Sequence, residues 1–185
     1  MKETILTVAE EVSTVLKNVN KNEALQVSSA LQQAKRIFVL GEGRSGLMGK
    51  AFAMRLMHGG FQVYVVGETI TPSIQAGDLL IAISGSGATS SIVQFTEKAK
   101  NLSAEVVAIT TDENSPLAQI TESVLTIPAA TKYRRAKEPK TIQPLGNQFD
   151  QSLHLLLDAI IIFTLKNNAK KDMFEEMKQR HNNLE

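Results

Sequence analysis

The feature that most limits the possible folds is an alternation of short apolar runs with segments of helical spacing, which fills residues 36–127. The five apolar runs cover residues 36–40, 62–66, 78–83, 105–110 and 123–127. Strands that are joined by helical crossovers lie parallel, with helices on both faces of the sheet. The alternation predicts an α/β fold: a three-layer, doubly wound, five-stranded parallel sheet, with its ligand at the carboxyl ends of the strands.

Further helices flank this core and complete one domain over residues 1–185. We expect N-terminal helices in 1–34, the α/β core in 35–128, a basic loop in 129–146 and C-terminal helices in 147–185. The run of lysines and arginines in the basic loop would be solvated or would border an anionic ligand. The first helix carries an apolar stripe that covers the core or pairs with a second subunit, formed by Ile5, Val8, Val12, Val15 and Val19. The second helix runs to residue 34 with Asn22 as its N-cap, and places Leu25, Ser28 and Leu31 on one side. A long helix opens near Asn147, and a short one covers about 172–180.

Charge and cysteine content exclude several functional classes. The net charge of +1 argues against a broad nucleic-acid surface. Because the chain has no cysteine, it has neither disulfides nor thiolate chemistry. The N-terminus lacks the apolar stretch of a signal peptide, and the most apolar segment, 153–165, is too short to span a bilayer. We therefore expect a cytoplasmic protein with no membrane partner.

A loop rich in serine and glycine follows the third apolar run, at Ser84-Gly85-Ser86-Gly87-Ala88-Thr89, and leads into helical spacing over 88–101. We call residues 84–89 the Ser/Gly loop. The first N–H groups of a helix lack internal partners and carry the positive end of its dipole, so such a loop suits a phosphate. A tight turn between strand and helix uses the same residue types, and both interpretations stay open.

A second loop, residues 41–46, follows the first apolar run, and we call it the Gly-rich loop. Gly41, Gly43 and Gly46 satisfy G-x-G-x-x-G, and Glu68 lies where the ribose-binding acid of a dinucleotide site belongs. Ser45 at the helix start and the additional Ser/Gly loop favour a small phosphorylated molecule instead.

These loops carry a family resemblance. The Gly-rich loop, the Ser/Gly loop and residues 110–118 resemble the three loops of the SIS (sugar isomerase) domain, which binds sugar phosphates. The wider sequence is similar to the 6-phospho-3-hexuloisomerase family nearly end to end, in residues 43–46, 51–58, 66–72, 143–146 and 180–185. That family interconverts 3-hexulose 6-phosphate and fructose 6-phosphate, the second step of formaldehyde fixation by the ribulose monophosphate route.

The resemblance implies a binding site for the substrate. Hydroxyl groups would hold the phosphate together with backbone N–H groups of both loops, and the residues involved would be Gly43, Ser45, Ser84, Gly85, Ser86, Gly87 and Thr89. Arg44 would lie near the sugar, although a salt bridge at the sheet edge is an equal alternative. The chemistry needs no metal and no redox cofactor. The resemblance also implies a homo-oligomer, a tetramer with composite sites, and functional coupling to a hexulose-phosphate synthase.

Two catalytic residues follow from the same resemblance. Asp150 takes the place of the family's glutamate as the base that moves a carbon-bound proton, but with Asn147 it also fits a helix-capping pattern. His181 would open the sugar ring, from a neighbouring subunit, unless it is simply a solvent-exposed terminal residue. His154, one turn after Asp150, could hydrogen-bond to it, and His58 is expected to be a polar helix terminus.

One further departure leaves the function open. The Ser/Gly loop has Ala88 where the family has glutamate. Another SIS aldose–ketose isomerase, or a sugar-phosphate sensor without catalysis, therefore remains an alternative.

Overall fold

The computed structural model describes residues 1–168 and 173–184. Within them, strands and helices alternate, except that a loop without a helix joins the second and third strands. In chain order they are α1 (Lys2–Lys17), α2 (Lys21–Gln33), β1 (Ile37–Gly41), α3 (Gly43–His58), β2 (Val63–Val65), β3 (Leu79–Ile83), α4 (Ser90–Asn101), β4 (Glu105–Thr110), α5 (Pro116–Gln119), β5 (Ser123–Thr126), α6 (Asn147–Asn168) and α7 (Met173–Gln179).

The five strands form one parallel sheet in the order β2-β1-β3-β4-β5, which confirms the predicted fold class. The strand order reverses between β1 and β3, which pair from Ile37 with Leu79 to Gly41 with Ile83. Ligands of doubly wound sheets bind at such a switch point, outside the carboxyl ends of the strands. The Gly-rich loop and the Ser/Gly loop follow β1 and β3, so the fold places both of them there.

The sheet is covered on both faces, which explains why its strands read as continuous apolar runs. Alternate side chains of β1, such as Ile37 and Val39, join a core with α2, α3 and α6. The intervening ones, Phe38 and Leu40, join a second core with α4 and α5. The result is the predicted three-layer arrangement.

Helix α6 lies in the first core, against α1, α2 and α3. Its buried face is the predicted one, formed by Phe149, Leu153, Leu156, Leu157, Ile160 and Ile161. Across residues 1–168 and 173–184, no helix combines the length and apolar character that crossing a membrane requires.

Several local predictions are wrong in detail. Helix α2 is capped by Asn20, whose side chain accepts a hydrogen bond from the Asn22 N–H at 2.9 Å, so Asn22 is not the N-cap. Helix α4 begins at Ser90 rather than at residue 88, because Thr89 has an extended backbone. Leu25 is exposed instead of lying on the buried side of α2. The predicted last helix matches α7, although residue 172 lies outside the described residues.

Only part of the apolar stripe on α1 covers the core. Val12 and Val15 are buried, whereas Ile5 is 59% exposed. Helix α1 packs on α6, so only the C-terminal part of the stripe faces the core.

Candidate active site

A cavity lies at the switch point of the sheet. The two loops, the start of α6 and the segment that follows β5 enclose it. It is lined by Glu42, Ser45, Ile83, Ser84, Gly85, Ser86, Thr89, Ile92, Thr131, Lys132, Leu145, Gly146, Phe149 and Asp150. Six of the predicted site residues are therefore brought together: Ser45, Ser84, Gly85, Ser86, Thr89 and Asp150.

The spacing of the glycines in the Gly-rich loop allows α3 to pack closely on β1. A Cβ atom on Gly46 would lie 2.6 Å from the Gly41 carbonyl oxygen, so only glycine permits this approach. Gly43 has a φ of +56° and opens the helix without lining the cavity. Glu68, the candidate ribose ligand of a dinucleotide site, forms an ion pair with Lys50 at 2.5 Å.

The Ser/Gly loop is a tight turn that also presents hydroxyl groups to the cavity. The Gly87 N–H donates to the Ser84 carbonyl at 2.9 Å, and a Cβ atom on Gly87 would lie 2.1 Å from Ser115 Oγ. The hydroxyls of Ser84 and Thr89 are 3.0 Å apart, and Ser86 Oγ accepts from the backbone N–H that follows Gly87. The two interpretations of this loop are therefore compatible.

Asp150 is the buried acid of the cavity, with 5% of its surface exposed. Ser45 Oγ donates a hydrogen bond of 2.7 Å to its Oδ1 atom, and Arg44 Nε lies 3.5 Å from Oδ2. Burial raises the pKa of Asp150, and the hydrogen bond from Ser45 and the charge of Arg44 oppose that rise. The carboxylate thus contacts the Gly-rich loop rather than the backbone of its own helix, so it does not cap α6. Arg44 forms a salt bridge at the sheet edge, and its partner is Asp150 itself.

Phe149 fixes the position of Asp150 relative to the Ser/Gly loop. A Cβ atom on Gly85 would lie 2.9 Å from the ring of Phe149, so the loop rests directly on that ring. This contact sets the beginning of α6 against the end of β3.

The histidines lie away from the cavity. The ring of His181 stacks on that of His58, with centroids 5.3 Å apart, and Arg180 donates to the His58 carbonyl at 3.1 Å. His58 ends α3 and Gly43 begins it, so the two ends are about 22 Å apart at 1.5 Å per residue. His181 is therefore remote from the Asp150 of its own subunit.

Two details of the histidine predictions are also settled. His154 pairs with Asp158 at 3.8 Å, so the predicted hydrogen bond to Asp150 is wrong. His58 does end a helix, but it is 4% exposed. Burial lowers its pKa, assisted by Arg55 and His181.

Thr131 and Lys132 are cavity residues that the sequence did not single out. Lys132 belongs to the basic run, which was expected to be a solvated loop or to border an anionic ligand, and only the structure shows which lysine faces the cavity. Glu42 was likewise missed, and its carboxylate accepts a hydrogen bond from Ser91 at the start of α4. Across the described parts of the chain, no three His, Asp or Glu side chains are grouped so that they could hold a metal ion.

Comparison with known proteins shows which family this chain resembles. The SIS domain family model matches residues 30–142. A 3-hexulose-6-phosphate isomerase from Bacillus subtilis is 42% identical over 168 residues, covering 90% of this chain and 89% of that protein. One from Mycobacterium gastri is 40% identical over 178 residues, covering 96% and 88%.

A solved structure extends the likeness to three dimensions. It is that of a Methanococcus jannaschii protein for which a 3-hexulose-6-phosphate isomerase function was inferred, and it matches with a TM-score of 0.84 at 34% identity. The match covers 98% of this chain and 99% of that one. This chain therefore belongs to the SIS domain family and, within it, to the 3-hexulose-6-phosphate isomerases.

Proposed function

We propose that the protein interconverts 3-hexulose 6-phosphate and fructose 6-phosphate through an enediol. The observation that carries the proposal is the position of a buried acid, Asp150, in the same cavity as the hydroxyl groups of the Ser/Gly loop. The similarity to 3-hexulose-6-phosphate isomerases over about nine-tenths of the chain supports the substrate.

In this proposal the Ser/Gly loop binds the phosphate. Ser86 Oγ accepts a backbone hydrogen bond, which leaves its own hydrogen free to donate. Of the hydroxyls of Ser84 and Thr89, one donates to the other, so one hydrogen remains for a phosphate oxygen. Helix α4 starts at Ser90, and its dipole adds positive potential at the same place.

Asp150 acts as the base. It takes the proton from C2 of 3-hexulose 6-phosphate, beside the carbonyl at C3, and returns it to C3, while the hydroxyl proton moves from O2 to O3. A general base works best when its pKa lies near the operating pH, and burial moves the pKa of Asp150 upwards. Ser45 and Arg44 hold the carboxylate in place.

Ring opening requires a second acid–base group, and we assign it to His181 of a neighbouring subunit. Within one subunit His181 lies at the far end of α3, so the assignment requires an oligomer, and we take it to be the homotetramer that the resemblance implies. Helices α3 and α6, which cover the same face of the sheet, carry exposed apolar side chains such as Met54 and Ile162, and these support an association surface. The reaction would operate together with a hexulose-phosphate synthase.

A coupled assay tests the function. Purified protein is mixed with fructose 6-phosphate and a hexulose-phosphate synthase, and the release of formaldehyde is followed. We expect release above the synthase-only control, and a fall of about 100- to 10,000-fold for Asp150→Asn, the range for loss of a general base. Asp158→Asn is the matched control, because Asp158 lies on the same helix and pairs with His154.

Other outcomes separate the alternatives. Tight binding of hexose phosphates without turnover would favour a sensor, and turnover of a pentose phosphate alone would favour another aldose–ketose isomerase. Asp150→Glu tests the shorter acid, since a displacement of about 1 Å can cost 100-fold in rate. A faster Asp150→Glu variant would show that the reach of Asp150 limits the reaction.

A further inference from the structure

The segment between β5 and α6 brings a positive charge to the cavity. Among the described residues that line the cavity, Lys132 is the cationic one, whereas Glu42 and Asp150 are acids. The Ser/Gly loop itself offers neutral hydroxyls and N–H groups. A phosphate monoester carries nearly two negative charges at neutral pH, so binding it beside two acids calls for a compensating cation.

The backbone that precedes Lys132 is firmly anchored. Ala130 is buried, and its N–H donates to the side-chain oxygen of Gln148 at 2.8 Å. The N–H and hydroxyl of Thr131 both donate to the carboxylate of Glu138, at 2.8 and 2.6 Å. These contacts fix the chain direction up to Lys132.

The far end of the segment is anchored as well. Glu11 on α1 accepts hydrogen bonds from the Ile142 N–H at 2.8 Å and from Gln143 Nε2 at 3.0 Å. Arg134 ties the two ends together by donating to the carbonyls of Thr131 and Gln143. The segment is therefore held at both ends by hydrogen bonds, while its basic residues Lys132, Arg134, Arg135 and Lys137 are exposed.

The ammonium group of Lys132 is available to a ligand. Within residues 1–168 and 173–184 it forms no ion pair with a carboxylate; its Nζ lies 5.2 Å from the centre of the exposed ring of Tyr133. By contrast, Arg44 is already paired with Asp150.

We propose that Lys132 binds the phosphate of the substrate and that Glu138, through Thr131, positions Lys132. The proposal rests on the proposed function. Lysine supplies a point charge on a flexible stem, which suits a phosphate that is cradled on its other side by hydroxyls and backbone N–H groups. Lys132 is thus a substrate-binding residue and Glu138 a positioning residue.

Lys132→Met is the main test, with Lys137→Met as its matched control. Lys137 lies on the same segment but outside the cavity. Loss of one charge-assisted hydrogen bond corresponds to about a ten- to hundredfold weaker affinity. We expect that loss in Lys132→Met for fructose 6-phosphate by calorimetry and for inorganic phosphate as a competitive inhibitor. The KM should rise more than kcat falls, and Lys137→Met should stay within about twofold of the unchanged protein, since surface pairs contribute little.

The possible outcomes are distinct. Equal affinities of the two lysine variants, in a protein that binds and converts hexose phosphates, would overturn the role of Lys132 alone. If Lys132→Met lost affinity for fructose 6-phosphate but not for inorganic phosphate, the lysine would contact the sugar and the phosphate assignment would fail. A starting protein that neither binds nor converts hexose phosphates would overturn the proposed function itself.

The role of Glu138 has its own readout. Glu138→Ala should raise the KM in the original protein but have no further effect in a Lys132→Met background, because residues that act as a unit are not additive. Glu138→Gln should restore most of the affinity, since an amide can accept from the Thr131 N–H and donate to its hydroxyl. Additive losses in the double variant would show a purely structural role and overturn the positioning assignment.

Discussion

Replacing Ser45 by alanine removes the hydrogen bond that steadies the proposed base. The Ser45 hydroxyl donates to Asp150 Oδ1 at 2.7 Å and stabilises the charged form of the carboxyl group. Without it the pKa of Asp150, which burial already raises, must rise further. The fraction of ionised base at mildly acidic pH then falls, and with it the rate.

The size of the shift follows from the contact. A hydrogen bond to a charged group contributes about 1.5–3 kcal/mol, and about 1.4 kcal/mol corresponds to one pKa unit. Arg44 stays 3.5 Å from the carboxylate and water can enter from the open side of the cavity, so the lower end applies. We expect the pKa of Asp150 to rise by about one unit in Ser45→Ala.

Two measurements check this expectation. The carboxyl carbon resonance of Asp150, followed against pH, reports the pKa directly, and the acid limb of kcat/KM should move by the same amount. Ser86→Ala is the control, because Ser86 lines the cavity and its Oγ bonds to the Ala88 N–H instead of Asp150. The phosphate of the substrate, which ionises near pH 6, affects both variants equally. An unchanged or lowered pKa in Ser45→Ala would refute the role given to Ser45.

Three further substitutions test stability. Asp78→Asn should lower the free energy of unfolding, measured by urea denaturation, by about 3 kcal/mol. The reason is that the buried carboxylate of Asp78 accepts hydrogen bonds of 2.9 and 2.5 Å from Arg36. Burial raises the pKa of Asp78, but the hydrogen bonds and charge of Arg36 outweigh burial, so the net pKa is lowered. The stabilising contribution of the Asp78 carboxylate is therefore lost as the pH falls through this lowered pKa. A stability difference between the variant and the original protein that stayed undiminished in strong acid would contradict this reasoning. Gly43→Ala should cost about 1–2 kcal/mol for its positive φ alone, since nothing lies within 4 Å of its added Cβ. Gly87→Ala should cost about 1–3 kcal/mol more than Gly43→Ala, because its added Cβ would clash with Ser115. Equal losses of stability for the two variants in chemical denaturation would count against this account.

The sequence predicted the central strands β1, β3 and β4 well because they are buried on both faces and form continuous apolar runs. It predicted helix starts less well, since a start depends on the backbone angles of one residue. Thr89 shows this, as its extended backbone delays α4 by two residues. The exposure of Leu25 likewise depends on which neighbours the fold supplies.

The contacts of the site were beyond the reach of sequence patterns. Ser45 and Asp150 are 105 positions apart, and no periodicity relates them. Both Asp150 and Asp158 lie one turn from His154, so the pattern allowed either pairing. The tertiary contact of Asp150 with the Gly-rich loop leaves Asp158 as the partner.

The hydrogen bond between Ser45 and Asp150 also limits what Ser45 can do for the phosphate. A hydroxyl has one hydrogen to donate, and a phosphate dianion only accepts. While that hydrogen is held by Asp150 Oδ1, Ser45 can serve the phosphate only through its backbone N–H, in the first turn of α3. The Gly-rich loop would then orient the base, and the Ser/Gly loop together with Lys132 would bind the phosphate. Ser45→Ala should on this view change the pH dependence of turnover while leaving the affinity for inorganic phosphate nearly intact, which is the opposite of the result expected for Lys132→Met.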